Sequence, residues 1–135
     1  MTMLRGNCLC GGVRFEFPDE LGFMAICHCT TCKKISGGGW TAAVLVPTDR
    51  IEILEGHELL TTYQPSEGNP KTFCSSCGAN LFGGGWPKGE RSAIRLSAIE
   101  SPFDARPEAH IFVRSVAPWE TLPDDGIPRF EERPT

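Results

Sequence analysis

Seven cysteines fall in three tight groups, Cys8-Leu9-Cys10, Cys27-His28-Cys29-Thr30-Thr31-Cys32 and Cys74-Ser75-Ser76-Cys77-Gly78, and no other feature of the 135 residues restricts the fold as much. Cysteines two or three positions apart bring their sulfurs to one ion without a long loop to close, which suits tetrahedral zinc and its short metal–sulfur bonds. Seven sulfurs divide most naturally into four and three. Four protein thiolates close a zinc and make it structural, whereas three leave a position open for water, substrate or an incoming thiol. The odd count therefore points to chemistry.

Disulfides explain the pattern less well. An odd number of cysteines cannot all pair within one chain, and Cys8/Cys10 and Cys27/Cys29 are too close in sequence for ordinary disulfide geometry within each pair. The N-terminal Met1-Thr2-Met3-Leu4-Arg5-Gly6 lacks the apolar stretch and cleavage site of a secretory leader, and no later segment approaches membrane-spanning length. A reducing, cytoplasmic compartment is expected, with no membrane partner; there, clustered cysteines hold metal more often than they form disulfides. With 13 basic and 17 acidic residues the formal charge is −4, which seven thiolates on two divalent zincs would deepen to about −7. Lys33-Lys34 is the only adjacent basic pair, so nucleic acid is not an expected partner.

The length fits a single domain over residues 1–135, with a proline-rich tail at 118–135 packed on it through Trp119, Ile127 and Phe130. Apolar periodicity favours strands. Val13-Arg14-Phe15-Glu16-Phe17 alternates cleanly, as do Ala93–Ser97, His110–Arg114 and, in part, Ile51–Leu54. Ala42–Val46 reads as a strand buried on both faces, and Thr61–Tyr63 and Lys71–Phe73 are weaker candidates. Turns are expected at Pro47-Thr48-Asp49, Glu55-Gly56, Pro65–Pro70 and Gly83-Gly84-Gly85 through Pro87-Lys88-Gly89. One short helix follows Thr30 and stops at Gly37-Gly38-Gly39.

Spacing leaves the grouping of the cysteines open. Cys29-x-x-Cys32 with Cys74-x-x-Cys77 would make an ordinary zinc ribbon and leave Cys8, Cys10 and Cys27 for other work. Alternatively Cys27, Cys29 and Cys32 make a three-sulfur facet by themselves, and Cys8/Cys10 with Cys74/Cys77 become a long-range staple.

The run Gly6-Asn7-Cys8-Leu9-Cys10-Gly11-Gly12-Val13-Arg14-Phe15, then Cys27-His28-Cys29-Thr30-Thr31-Cys32-Lys33-Lys34, then Phe73-Cys74-Ser75-Ser76-Cys77-Gly78-Ala79-Asn80-Leu81, closely resembles the glutathione-dependent formaldehyde-activating enzyme (GFA) family, whose domain also occurs in centromere protein V. Arg106–Val113, Pro118-Trp119 and Asp125-Gly126-Ile127-Pro128 follow in the family's order, so the similarity covers nearly the whole chain. The resemblance implies a structural zinc on Cys8, Cys10, Cys74 and Cys77 and a catalytic zinc on Cys27, Cys29 and Cys32. It also implies a mostly β fold of several small antiparallel, β-tent-like sheets around the two metals.

With glutathione as co-substrate, a thiol arriving at the open three-cysteine zinc would be held as a thiolate and could attack formaldehyde, giving S-hydroxymethylglutathione. The activity implied is that of a carbon–sulfur lyase acting on a small-molecule thiol and an aldehyde. A thiol carrier using the same zinc, and an interaction module with two structural zincs, are the alternatives. Lys33, Lys34 and Arg14 are candidates for the glutathione carboxylates, with the amides of Gly37–Gly39 or Gly83–Gly85. His28 is expected beside the metal or at the surface, His110 as a structural histidine and His57 on a loop. Trp40, Trp86 and Trp119 are first of all packing residues, and Trp40 and Trp86 could wall a pocket. The oligomeric state is not legible in the sequence.

Overall fold

The computed structural model describes residues 2–134. In chain order its strands are β1 (Met3–Asn7), β2 (Arg14–Pro18), β3 (Met24–Cys27), β4 (Thr41–Pro47), β5 (Glu52–Glu55), β6 (Leu60–Tyr63), β7 (Lys71–Cys74), β8 (Asn80–Gly84), β9 (Arg91–Arg95) and β10 (Ala109–Ile111). One α-helix, α1 (Thr30–Ser36), follows β3, and the remaining helical turns are of the 3-10 type. The fold is mostly β. It divides into two compact units, one made of the chain up to Gly22 with Val44–Asp104, the other of Phe23–Ala43 with the chain from Ala105 onward.

In the first unit β1, β2 and β5 form an antiparallel three-stranded sheet. The alternation in β2 turns Phe15 and Phe17 inward, both fully buried. Gly6 of β1 lies opposite Phe15, and a Cβ there would overlap the Phe15 ring, so the glycine makes room for the aromatic. Phe15 meets Phe82 edge-on at 4.9 Å, and Phe82 stacks on Trp86 at 4.4 Å. With Leu4, Val13, Val44, Val46, Leu81 and Ile94 these rings make an apolar core in which each large side chain contributes about 2 kcal/mol by burial. Strands β9, β8, β7 and β6 pair in that order, with the three neighbouring pairs antiparallel from β6 to β9.

The second unit is built differently. Strand β3 pairs in parallel with β10, in the register Ala25↔Ala109, Ile26↔His110, Cys27↔Ile111. The later chain is tied to β10 by backbone: His110 N–H donates to Pro128 O at 2.9 Å, Phe130 N–H to His110 O at 2.9 Å, and Val113 N–H to Phe130 O at 3.0 Å. Its buried apolar residues are small, Met24 being accompanied by Ala25, Ala109 and Ala117, while His28 and His110 are buried to 1% exposure each.

Several expectations change. The β3–β10 pair is parallel in a sheet set expected to be antiparallel. Strand β4 buries Thr41, Val44 and Val46 and leaves the residues between them partly exposed, so it is not buried on both faces. The segment from His110 keeps its strand only to Ile111, because Phe112 turns into the left-handed region at φ 56 and a 3-10 turn over Val113–Ser115 follows. Ser97 likewise falls in a 3-10 turn after β9. Gly83 and Gly84, expected in a turn, end strand β8, and the Arg95 guanidinium occupies the space that a Gly83 side chain would need. Trp119 is 71% exposed, so the tail is held through its backbone and not by that ring.

Candidate metal centres

Each unit carries one cysteine cluster. In the first, the Sγ atoms of Cys8, Cys10, Cys74 and Cys77 lie within 4.8 Å of one another. Cys8 Sγ is 3.6 Å from Cys10 Sγ, and Cys10 Sγ is 3.9 Å from Cys74 Sγ. A tetrahedral zinc with bonds of about 2.3 Å has sulfur–sulfur edges of about 3.8 Å, so these separations fit a metal and are nearly twice a disulfide bond.

Two turns aim backbone N–H groups at these sulfurs. After Cys8, Gly11 at φ 77 closes a turn in which Val13 N–H donates to Cys8 Sγ at 3.2 Å. After Cys74, Gly78 at φ 78 donates its N–H to Cys74 O at 2.7 Å and lets the chain double back. Backbone N–H groups of Ala79 and Cys10 push the Cys77 thiol down to about 6, and burial pushes Cys74 up to about 11. Burial is the largest single influence on Cys8 and pushes its thiol up, but the hydrogen bonds led by Val13 N–H together outweigh it and hold the thiol below its ordinary value. These N–H donors favour the thiolate form that a metal requires.

In the second unit the Sγ atoms of Cys27, Cys29 and Cys32 lie within 4.8 Å of one another, and no fourth His, Cys, Asp or Glu ligand atom joins them among the described residues. Cys27 ends β3. Cys29 is the N-cap of α1, its Sγ accepting Cys32 N–H at 3.3 Å, and the helix ends at Gly37 in the left-handed conformation. One extended residue followed by one helical turn therefore gathers three sulfurs from six consecutive positions.

Cys27 is pushed far above the ordinary thiol range by its contacts with Cys29 and Cys32 and then by burial. The hydrogen bond from Cys27 favours the Cys32 thiolate, but Cys29 and burial outweigh it and leave Cys32 raised as well. Sulfurs crowded this closely oppose one another's ionisation, and a divalent cation removes that opposition, so the donor set fits zinc.

His28 lies between two of these cysteines and its ring points elsewhere. His28 Nε2 is 3.0 Å from His110 Nδ1, and His110 Nε2 is 2.7 Å from Asp125 Oδ2. On the other side His28 Nδ1 faces Glu120 Oε2 at 3.6 Å, too far for a hydrogen bond. Burial lowers the His28 pKa, with Glu120 opposing. The hydrogen bond from His110 holds the Asp125 carboxyl below its ordinary range. His110 is buried, as a structural histidine is; His28 is buried as well and not at the surface, and its connection to His110, like the places of Glu120 and Asp125 beside the pair, is not legible in the sequence. One histidine just past β3 and another on β10, among three in the chain, are the available signal.

The remaining candidates spread out. Lys33 Nζ donates to the Ser115 carbonyl, Arg14 is exposed and pairs with Glu55 at 3.8 Å, and Lys34 is exposed. Trp86 is buried against Phe82, Trp40 is 44% exposed, and His57 opens a 3-10 turn. No helix among the described residues is long and apolar enough to cross a membrane.

The sequence profile of a family described as glutathione-dependent formaldehyde-activating enzyme matches residues 3–115, a span that includes all seven cysteines. A Halomonas elongata protein provisionally named glutathione-dependent formaldehyde-activating enzyme is 32% identical over 127 residues, covering 87% of this chain and 79% of that protein. A crystal structure of a Rhodobacter sphaeroides protein is similar in fold, with a TM-score of 0.61 at 22% identity, covering 93% of this chain and 98% of that one.

Proposed function

This chain belongs to the glutathione-dependent formaldehyde-activating enzyme family, and from that premise we propose that it is a zinc-dependent enzyme of carbon–sulfur lyase type acting on a glutathione–aldehyde adduct. The observation that carries the reading is the inequality of the two clusters, four converging sulfurs in one unit and three in the other. Cys8, Cys10, Cys74 and Cys77 would hold a closed, structural zinc, and Cys27, Cys29 and Cys32 an open one. The metal, when bound at the three-cysteine cluster, supplies a cation that lowers the pKa of a thiol brought to its free position.

The rest falls to the protein. The Cys29 cap ties one ligand to the first turn of α1, so the triplet presents a preformed facet that does not have to be ordered as substrate arrives. His28, turned toward His110, is not among the groups that converge with the three sulfurs. In the forward direction the glutathione sulfur bonds to the aldehyde carbon and the thiol proton ends on the former carbonyl oxygen; the reverse direction breaks the same carbon–sulfur bond. No electrons are exchanged, which suits a redox-inert ion. A cytoplasmic setting, where glutathione keeps thiols reduced, fits this chemistry.

Titration calorimetry with glutathione and with S-methylglutathione tests the reading. The free thiol should bind and the methylated form should bind at least about tenfold more weakly, since only the former can supply a thiolate. Equal binding would overturn the open-zinc mechanism in favour of an interaction module. Binding without acceleration of S-hydroxymethylglutathione exchange, followed by NMR, would leave a carrier.

A further inference from the structure

We propose that Asp125 is a positioning residue for the three-cysteine cluster, acting on Cys27 and Cys29 through His110 and His28. The inference rests on reading that cluster as a zinc site. It begins with hydrogen-bond direction. A carboxylate only accepts, so at 2.7 Å from Asp125 Oδ2 the His110 Nε2 carries a proton, and in the neutral ring its Nδ1 is then a bare acceptor. His28 Nε2, at 3.0 Å from that Nδ1, must therefore be the donor. The two rings are consequently locked in one tautomer and one orientation by a carboxylate at the far end of the chain of bonds.

The residue so locked is the one between two ligands. His28 is attached to β10 twice, by its ring to the His110 side chain and by its backbone N–H to Ile111 O at 3.0 Å. With Cys27 in register with Ile111, these two attachments fix the rotation of the peptides that carry Cys27 and Cys29, and so the directions in which their sulfurs point. Packing is a poor substitute here, because the buried aliphatic side chains of this unit are Met24 and three alanines. The Glu120 side, at 3.6 Å, holds the ring less closely than the His110 side.

Asp125 is itself oriented. Its Oδ1 accepts Ile127 N–H at 3.2 Å, and the segment after it is bound to β10 through Pro128 O and Phe130 N–H. An exposed carboxylate without such supports would swing with solvent, whereas this one is aimed. The family profile ends at residue 115, so Asp125 lies beyond the matched span.

The test compares the parent with Asp125→Ala and Asp125→Asn, the asparagine restoring an acceptor oxygen without the charge. Zinc affinity of the three-cysteine cluster is read by chelator competition, and its geometry by the visible bands of cobalt exchanged into it. Asp125→Ala should weaken zinc by about tenfold or more and shift the cobalt bands, while the four-cysteine site keeps its metal. Asp125→Asn should recover most of both. If the parent takes up one metal per chain in place of two, this inference and the proposed function fall together. If the parent takes up two and Asp125→Ala keeps the parent's spectrum and affinity, or Asp125→Asn is as weak as Asp125→Ala, this inference alone falls. Should the alanine variant not fold, nitrogen-15 NMR of the parent serves instead. His110 protonated on Nε2 with a bare Nδ1 supports the chain of bonds; a proton on His110 Nδ1 overturns it.

Discussion

Cys10 Sγ and Cys74 Sγ, from residues 64 positions apart in sequence, lie 3.9 Å from each other, the separation of two sulfurs on one tetrahedral ion. The intervening chain runs through β2, β5, β6 and β7 of the first unit, so a metal held by this cluster would cross-link that unit.

Removing one of its ligands should therefore cost folding stability. Structural zinc binding is coupled to folding and can contribute about 10 kcal/mol or more, of which one lost thiolate forfeits a large part. We expect Cys74→Ser to lower the unfolding free energy by at least about 3 kcal/mol and to lose one zinc per chain. Unchanged zinc content and melting temperature would remove the cross-link from the account.

The second cluster should separate function from stability. Serine at position 29 keeps an N-cap acceptor for Cys32 N–H, where alanine would cost about 1 kcal/mol through the cap alone. Cys29→Ser should leave the melting temperature within a few degrees of the parent, keep the four-cysteine metal, and abolish glutathione binding in calorimetry. A variant that binds glutathione like the parent would show that the triplet is not the thiol site.

Gly56 sets the approach of two loops in the first unit. It sits at φ 82, and a Cβ there would overlap the carbonyl of Gly12, two residues past Cys10. Gly56→Ala should cost about 3 kcal/mol, combining left-handed strain with a backbone clash. Gly68→Ala provides the control, since φ is 93 with nothing within 4 Å of the new Cβ, and should cost only about 1 kcal/mol of strain. Chemical denaturation of both variants measures the difference, and equal losses would mean the Gly12 contact relaxes freely.

The pH dependence of the Asp125 contribution has a definite sign. The hydrogen bond to His110 holds this carboxyl below its ordinary value, so its contribution to stability is present above the unfolded-state pKa of about 3.9 and is lost as pH falls through the lower folded value. The melting-temperature gap between the parent and Asp125→Ala should thus stay constant from pH 8 to about 5. Its narrowing between pH 7 and 6 would instead assign the effect to a histidine.

Local sequence determined the parts of this protein that short stretches of chain can determine. Alternation buried Phe15 and Phe17, and three cysteines within six residues followed by three glycines made a capped helix that stops at Gly37. That seven clustered cysteines suit a metal was equally plain, because it depends on residue type and spacing alone. Which pairs would share a cluster did not follow from spacing, since a ribbon from Cys29/Cys32 and Cys74/Cys77 fits it just as well. Tertiary structure brought Cys8 and Cys10 to Cys74 and Cys77 instead. It also drew Gly83 and Gly84 into a strand against Arg95, left Trp119 in solvent, and joined His28 to His110 across 82 positions. A side chain's partner in such cases lies on a distant strand, and no periodicity within one segment encodes the register that brings the two together.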